Sequence, residues 1–311
     1  MRTVVMLAPP GSGLRSLLRT LPDGLTRGGS GFPASWSMTL DDQGTLRGMG
    51  LLGAPATAVL PDETRSYDLS LELSVPRRLR WHPWQKRSKA TSHRFTLHTF
   101  RSARLAASSR LGSFAFVLVW PFPWVTGSDH AGDNGWVDEV RRHASALGKA
   151  QRIYVVLSQF DQVLIEMSHR PREALLDRDF VASAIRDLVK RNVELKECLS
   201  ALAKGGNPVR LLPASAHGII KPYCSSNWYP TGTTNRSATD RMLIGPDGGG
   251  ALAALMQGWH PHRGKGLADE FAELWVPLFT ADAVVAAVAV RGWRRHHDFF
   301  FRLEEAQRTR A

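Results

Sequence analysis

Apolar and polar positions along the chain fall into a few recurring patterns, and their order carries information. Residues 3–8 (TVVMLA), 114–122 (FAFVLVWPF), 152–161 (RIYVVLSQFD) and 207–216 (NPVRLLPASA) contain short, nearly continuous apolar runs. Such runs predict strands covered on both faces of a sheet. Residues 66–75 (SYDLSLELSV) and 93–100 (HRFTLHTF) alternate instead, which predicts two half-buried strands paired as an antiparallel hairpin. Helical spacing predicts helices near 14–20, over 134–148 and over 178–203, the last carried by Val181, Ile185, Leu188, Val189, Val193 and Leu195. From 267 to about 308 the pattern is mostly helical. Segments 21–64 and 217–265 are rich in Gly, Pro, Ser, Thr and Asn and predict irregular chain. Apolar strands alternating with helices make an α/β fold with a mainly parallel sheet the expected architecture. Sites in such sheets gather at the carboxyl ends of the strands.

Composition adds bounds. The 311 residues, 43% of them hydrophobic, are enough for one large domain or two ordinary ones. Two cysteines, Cys198 and Cys224, give neither a disulfide framework nor a metal spacing. Cys198 is expected as a small core residue, and a reducing cytoplasm as the compartment. The segment MRTVVML is too short for a signal peptide. The apolar stretch 274–290, with Pro277 and Asp282 inside it, is at the short edge for crossing a bilayer. A buried helix is expected there, with an interfacial helix, and so membrane association, as the alternative. The net charge of +12 favours polyanionic partners, whether nucleic acid, anionic lipid or an acidic protein surface. An inert basic surface fits the same number.

Residues 6–18 (MLAPPGSGLRSLL) pass from an apolar run through a Pro/Gly turn into a helical pattern. A phosphate-binding loop needs that order: a strand, a turn of backbone N–H groups and a helix N-terminus. Gly11 and Gly13 stand where the backbone must approach a ligand closely. The next two positions should be a Lys, which reaches the phosphates, and a Ser or Thr, which binds Mg²⁺. They are Leu14 and Arg15, and Ser16 comes one residue late. A shift of one residue lets Arg15 stand for the lysine and Ser16 for the metal ligand. A plain Gly turn between strand and helix fits the residues as well.

Downstream, the strand ending at Leu157 runs into SQFD (158–161), and the strand ending at Pro213 runs into ASAHG (214–218). In order and spacing these segments resemble the base-recognition segments of P-loop GTPases, the first an Asn/Thr-Lys-x-Asp segment and the second a Ser-Ala segment. The resemblance covers roughly residues 1–220 and is closest to the bacterial double-GTPase-like branch of the TRAFAC-type GTPases. Thr64, ahead of the hairpin, and residues 259–279 also resemble that branch. It implies a three-layer P-loop NTPase fold, a mainly parallel sheet with one antiparallel strand, and a C-terminal helical extension. The implied division is a GTPase-like α/β domain over 1–220, an irregular insertion over 221–265, and a C-terminal helix over 266–311 packed on or extending from the domain. The implied ligand is GTP or GDP. Pro10, Gly11, Ser12, Gly13, Leu14, Arg15 and Ser16 would cradle its phosphates. Asp161 would accept hydrogen bonds from guanine, Ser215 and Ala216 would meet the guanine oxygen through the backbone, and Gln159 would replace the lysine that stacks beneath the base.

The departures are as informative. A GTPase has Asp-x-x-Gly at the end of the second hairpin strand, for Mg²⁺ and the γ-phosphate; this chain has His98, Thr99, Phe100 and Arg101. Lysine, metal hydroxyl, metal-linked Asp and γ-phosphate Gly are all altered, so Mg²⁺ loses its expected attachments. Each supports phosphoryl transfer, where electrostatics dominate. The resemblance therefore implies a pseudo-GTPase with no catalytic residues of its own, a regulatory or scaffolding subunit whose local charge rests on Arg15 and on Arg101 or Arg104. One alternative is an active hydrolase with a non-standard loop, Arg15 and Ser16 standing in and a partner supplying the missing groups. Another is a basic adaptor for nucleic acid or anionic membrane. Expected partners are neighbour-encoded GTPases or effectors. Candidate contacts are the basic-aromatic segments 77–89, with Trp81 and Trp84, and 291–302, where Phe299, Phe300 and Phe301 in a row should leave at least one exposed. Neither the pair His260 and His262 nor the pair His296 and His297 has metal-ligand spacing with a third group.

Overall fold

The computed structural model describes residues 2–9, 12–26, 29–41, 65–78, 86–108, 115–121, 134–160, 178–220, 225–226, 228–229, 241–242, 275–289, 297 and 299–303. Eight strands form the main sheet: β1 (Arg2–Leu7), β2 (Ser37–Asp41), β3 (Arg65–Arg78), β4 (Lys86–Phe100), β5 (Ala115–Pro121), β6 (Ile153–Ser158), β7 (Val209–Pro213) and β13 (Phe301–Arg302). Their order is β13-β7-β6-β5-β1-β4-β3-β2. Strands β4, β1, β5, β6 and β7 are mutually parallel. The fold is thus α/β with a mostly parallel mixed sheet. Two strands run against that direction rather than one: β3, paired antiparallel on both sides, and the edge strand β13.

The sheet is built as its residue pattern requires. All seven residues of β5 and all six of β6 are buried, which suits strands covered on both faces. The hairpin of β3 and β4 alternates, with Tyr67, Leu69, Leu71 and Leu73 of β3 and Phe95 and Leu97 of β4 in the core. Within the expected loop 21–64, Ser37–Asp41 is a strand, Met38 and Leu40 facing the core beside Leu73 and Leu71.

Helix α1 (Leu14–Thr26) continues past residue 20 and through Pro22. Its second half docks on the C-terminal segment, where the Thr280 hydroxyl donates to the Thr20 carbonyl at 3.0 Å. Helices α2 (Ala103–Ser108), α3 (Asn134–Leu147), α4 (Arg178–Arg191) and α5 (Val193–Ala203) follow in chain order. The right-handed rule for parallel crossovers puts α1 on one face of the sheet and α2 to α5 on the other, and α3 packs against both α2 and α5, which is compatible with a three-layer α/β fold. The single helix expected over 178–203 is two. The Asn192 side chain accepts the Leu195 N–H at 2.8 Å and caps α5, which turns Val193 outward to 62% exposure. Cys198 is buried in the core, and burial pushes its thiol up to about 12.

The C-terminal segment departs most from expectation. Its described residues are not mostly helical: Trp275–Leu278 is strand β12, Asp282–Val288 is the two-turn helix α6, and β13 closes the sheet edge. Strand β12 belongs to a second sheet of order β12-β8-β9, with β8 (Ser215–Ile220) at its centre and β9 (Ser225–Ser226) outside. A separate ladder joins β10 (Trp228–Tyr229) to β11 (Arg241–Met242). All seven residues of α6 are buried, and Arg152 Nη1 caps the helix by donating to the Ala286 and Ala287 carbonyls. Among the described residues no helix is long and apolar enough to cross a membrane. None of the three consecutive phenylalanines is exposed. Phe300 and Phe301 are buried, and Phe299 is half-buried against Phe279, ring centroids 4.6 Å apart.

A buried His–Asp pair anchors this segment. His297 Nδ1 accepts the Phe299 N–H at 3.1 Å, so Nε2 carries the proton and donates to Asp282 Oδ2 at 2.6 Å. The same carboxylate oxygen accepts the Gly31 N–H at 2.7 Å. Rings of Phe32 and Phe300 close on the imidazole at 4.6 and 4.2 Å. One pair thereby joins the loop after α1, the start of α6 and the chain before β13. His297→Ala leaves the buried Asp282 carboxylate with one donor fewer, and urea unfolding should show a loss of about 1–3 kcal/mol. A loss below about 1 kcal/mol, the scale of an ordinary exposed pair, would refute this anchoring role.

Candidate functional site at the carboxyl rim

Strand β1 lies between β4 and β5. From β1 the chain goes outward to β2, β3 and β4 on one side, then crosses to β5, β6 and β7 on the other. The order reverses at β1, and such switch points open a crevice at the carboxyl end of the sheet. The Pro/Gly turn leaves β1 at that point. Its first residue is fixed to β4, Ala8 N–H donating to the Phe100 carbonyl at 3.0 Å. Its last residue, Gly13, has φ +71° and receives the first helical bond of α1, from Leu17 N–H at 2.9 Å. A side chain at Gly13 would meet only Gln159 atoms at ordinary contact distance, so backbone conformation, not space, requires glycine. The first turn of a helix leaves N–H groups unused by the helix itself, here at Leu14, Arg15 and Ser16.

The end of β6 closes on this turn. Ser158 Oγ donates to the Ser12 carbonyl at 2.9 Å and also approaches the Trp120 carbonyl at 3.4 Å. Gln159 follows in the left-handed region, φ +59°, with its side chain beside Gly13. Phe160 N–H donates to the Ala214 carbonyl, and Ala214 N–H to the Leu157 carbonyl, so the exits of β6 and β7 are joined. Ser12, Gly13, Leu14, Arg15, Ser16, Gln159, Ser215 and Ala216 therefore share one rim. Pro10, Gly11 and Asp161 lie outside the described residues, as do Thr64, Trp81, Trp84 and Cys224. The run 207–216 is not one strand. It ends at Pro213, and Ser215 begins β8, pairing with Leu278 of β12. Ser215 Oγ accepts the Gly218 N–H at 2.8 Å. Ala216 falls where the ladder with β12 shifts register.

The end of β4 forms the third side. His98 Nδ1 is 2.7 Å from the Ser66 hydroxyl. Thr99 pairs in register with Arg65. Beyond them the chain is pinned to α3: Trp136 Nε1 donates to the Arg101 carbonyl at 3.0 Å, and Glu139 Oε1 accepts the Ser102 hydroxyl at 2.6 Å and the Arg104 N–H at 2.8 Å. Burial alone would raise the Glu139 carboxyl, but these donors outweigh it and hold the group below its ordinary value. The sequence pattern alone assigns no role to Ser158, Arg65, Tyr67 or Glu139. Only Ser158 carried a signal, a polar residue closing an apolar run.

Among the described residues no three His, Cys, Asp or Glu side chains come together as a metal site. No family model matches the chain, and no curated protein matches it.

Two outcomes follow from this geometry. Gln159→Gly relieves a left-handed side chain and should raise thermal stability by up to about 1 kcal/mol. A clear loss instead would show that the contact over Gly13 outweighs the backbone strain. Glu139 contributes stability that is present above its unfolded value and lost as pH falls through its lower folded value. Chemical denaturation of Glu139→Gln at pH 7 and at pH 3 should therefore show a shallower acid decline than the parent chain. Parallel declines would remove Glu139 as a cause.

Proposed function

We propose that the chain is a P-loop GTPase-like protein that binds guanine nucleotide with weak or absent hydrolysis and acts as a regulatory or scaffolding subunit of a bacterial multi-protein system. The observation that carries this reading is the Ser158–Ser12 bond at the switch point. It brings the glycine turn after β1 and Ser158, the first residue of the SQFD segment, to one rim, and a nucleotide spanning phosphate and base would need both there. In this reading the turn 10–16 cradles phosphate on backbone N–H groups and the positive end of α1. Asp161, Ser215 and Ala216 read guanine, and Gln159 lies beneath the base.

Weak hydrolysis is supported by what holds the end of β4. A GTPase switch works by ordering and releasing this segment with the γ-phosphate. Here Trp136 and Glu139 tie Arg101, Ser102 and Arg104 to α3 through contacts within the chain. A segment already ordered has little left to report.

The scaffolding role is supported by the hairpin. Its register runs on to Arg78↔Lys86, nine residues before Phe95, the partner of Arg2. At about 3.4 Å per residue the ribbon continues roughly 30 Å past the start of β1, away from the carboxyl rim. Between Glu72 and Asp129 the sequence has ten Lys or Arg and no Asp or Glu. An acidic protein surface is the partner this charge fits.

Fluorescent guanine and adenine nucleotides test the reading. Guanine should bind at least about tenfold more tightly, the worth of a charged hydrogen bond, and Asp161→Ala should abolish the difference. Turnover should stay below about 10⁻⁴ per second, under the unassisted GTPase rate. Equal binding of both bases, or no binding of either, overturns the nucleotide site; fast turnover overturns the pseudo-enzyme.

A further inference from the structure

The resemblance implies Mg²⁺ between the loop and the ligand's phosphates, and the residues at that place do not fit it. Magnesium is held by hard oxygen donors, above all carboxylates. The first turn of α1 has no acidic residue. Strand β4 ends in Thr99 and Phe100, followed by Arg101, and β3 begins with Arg65. We propose that Arg15 and Arg65, with the Tyr67 hydroxyl, hold the terminal phosphate of a polyphosphate ligand directly, so that binding needs no divalent metal. This inference rests on the nucleotide-site reading above for the ligand's class, but its anion site stands on its own residues.

The geometry is as follows. Leu7 pairs with Phe100, and the neighbouring Thr99 pairs with Arg65. Arg65 therefore lies on the carboxyl rim two strands from β1, about 10 Å at ordinary strand spacing. Tyr67, two residues on, is buried on the core face of β3. Its hydroxyl lies within the electrostatic reach of Arg65, two positions away on the same face of β3, and of Arg15, in the first turn of α1. Two arginines from different elements, Arg65 at the start of β3 and Arg15 after the glycine turn, thus lie at one rim, both within electrostatic reach of the Tyr67 hydroxyl. Burial raises the Tyr67 hydroxyl despite the pull of both arginines, so the phenol keeps its proton and can donate it. A divalent cation between two guanidinium groups is repelled, whereas an oxyanion gains charge-assisted bonds from each.

Ser12 supplies an independent observation. It is 1% exposed, and its Oγ has no hydrogen-bond partner among the described residues. Buried hydroxyls are rarely left so. A phosphate oxygen seated in the turn would satisfy it.

Calorimetric titration of the full chain with inorganic tripolyphosphate, and separately with GTP, in EDTA and in excess Mg²⁺, tests the proposal. Both ligands should bind in EDTA. Arg15→Gln and Arg65→Gln should each weaken tripolyphosphate by about tenfold or more, with unchanged melting temperature, and Arg65→Lys should retain part of the affinity. Arg186→Gln, on α4, should bind as the parent chain does. Failure of tripolyphosphate to bind in EDTA, a requirement for Mg²⁺, or parental affinity in Arg65→Gln would each overturn the proposal. Arginine-dependent tripolyphosphate binding without preference for guanine would uphold it and overturn the nucleotide reading. Guanine nucleotide bound only with Mg²⁺ would do the reverse.

Discussion

The Ser158 hydroxyl is the point on which the rim depends. It sits at the end of an apolar strand, buried to 1% exposure, and faces two backbone carbonyls from two other chain exits, Ser12 after β1 and Trp120 of β5. Burying the Ser12 carbonyl without a donor would cost about 1–3 kcal/mol. The Ser158 hydroxyl supplies that donor at 2.9 Å. The consequence is positional. Three consecutive strands of the parallel sheet end in register with one another, and the glycine turn cannot swing away from the segment that follows β6. Everything chemical at this rim presupposes that spacing.

Much of this fold was legible because its signals are local. A strand covered on both faces must be apolar at every position, and β5 and β6 are. The hairpin strands must alternate, and Tyr67 through Leu73 do. What the sequence concealed is what tertiary contacts decide. Pro22 looks like a stop, yet α1 runs through it, and Thr280 from the far end of the chain supplies the Thr20 carbonyl with a donor. Strand β2 alternates over only five residues, inside a Gly- and Pro-rich stretch. The C-terminal segment is buried on all sides from Val276 to Val288, so its apolar residues show no period, and strand could not be told from helix. The helix break at Asn192 was visible in principle as a capping residue three positions before Leu195, but the apolar spacing ran across it.

The candidate site divides the same way. Its backbone parts, the turn and the strand ends, follow from sequence order. Its charged parts do not, because Arg65 and Tyr67 reach the rim only through the antiparallel return of β3 beside β4. No spacing rule links Arg15 to residues fifty positions later. Arg104, expected from the sequence as a charge at the site, follows β4 on α2, where its backbone N–H is held by Glu139.

A fixed segment after β4 and a cationic rim are mutually consistent. A switch that responds to the γ-phosphate needs a segment free to move and a metal to transmit the pull. Where Trp136 and Glu139 already hold that segment, nothing is gained by the metal, and a carboxylate retained for it would pair with Arg15 and Arg65 and compete with the phosphate for them. Replacing the metal's charge with fixed guanidinium groups removes the requirement for a mobile carboxylate and leaves a preorganised anion site. Such a site favours occupancy over turnover, since donors equally close to ground and transition states bind without accelerating. In the proposed reading, a subunit whose ligand stays bound would offer a partner one surface rather than two. The basic ribbon, projecting from the opposite end of the sheet, can present that surface without the rim ever having to open.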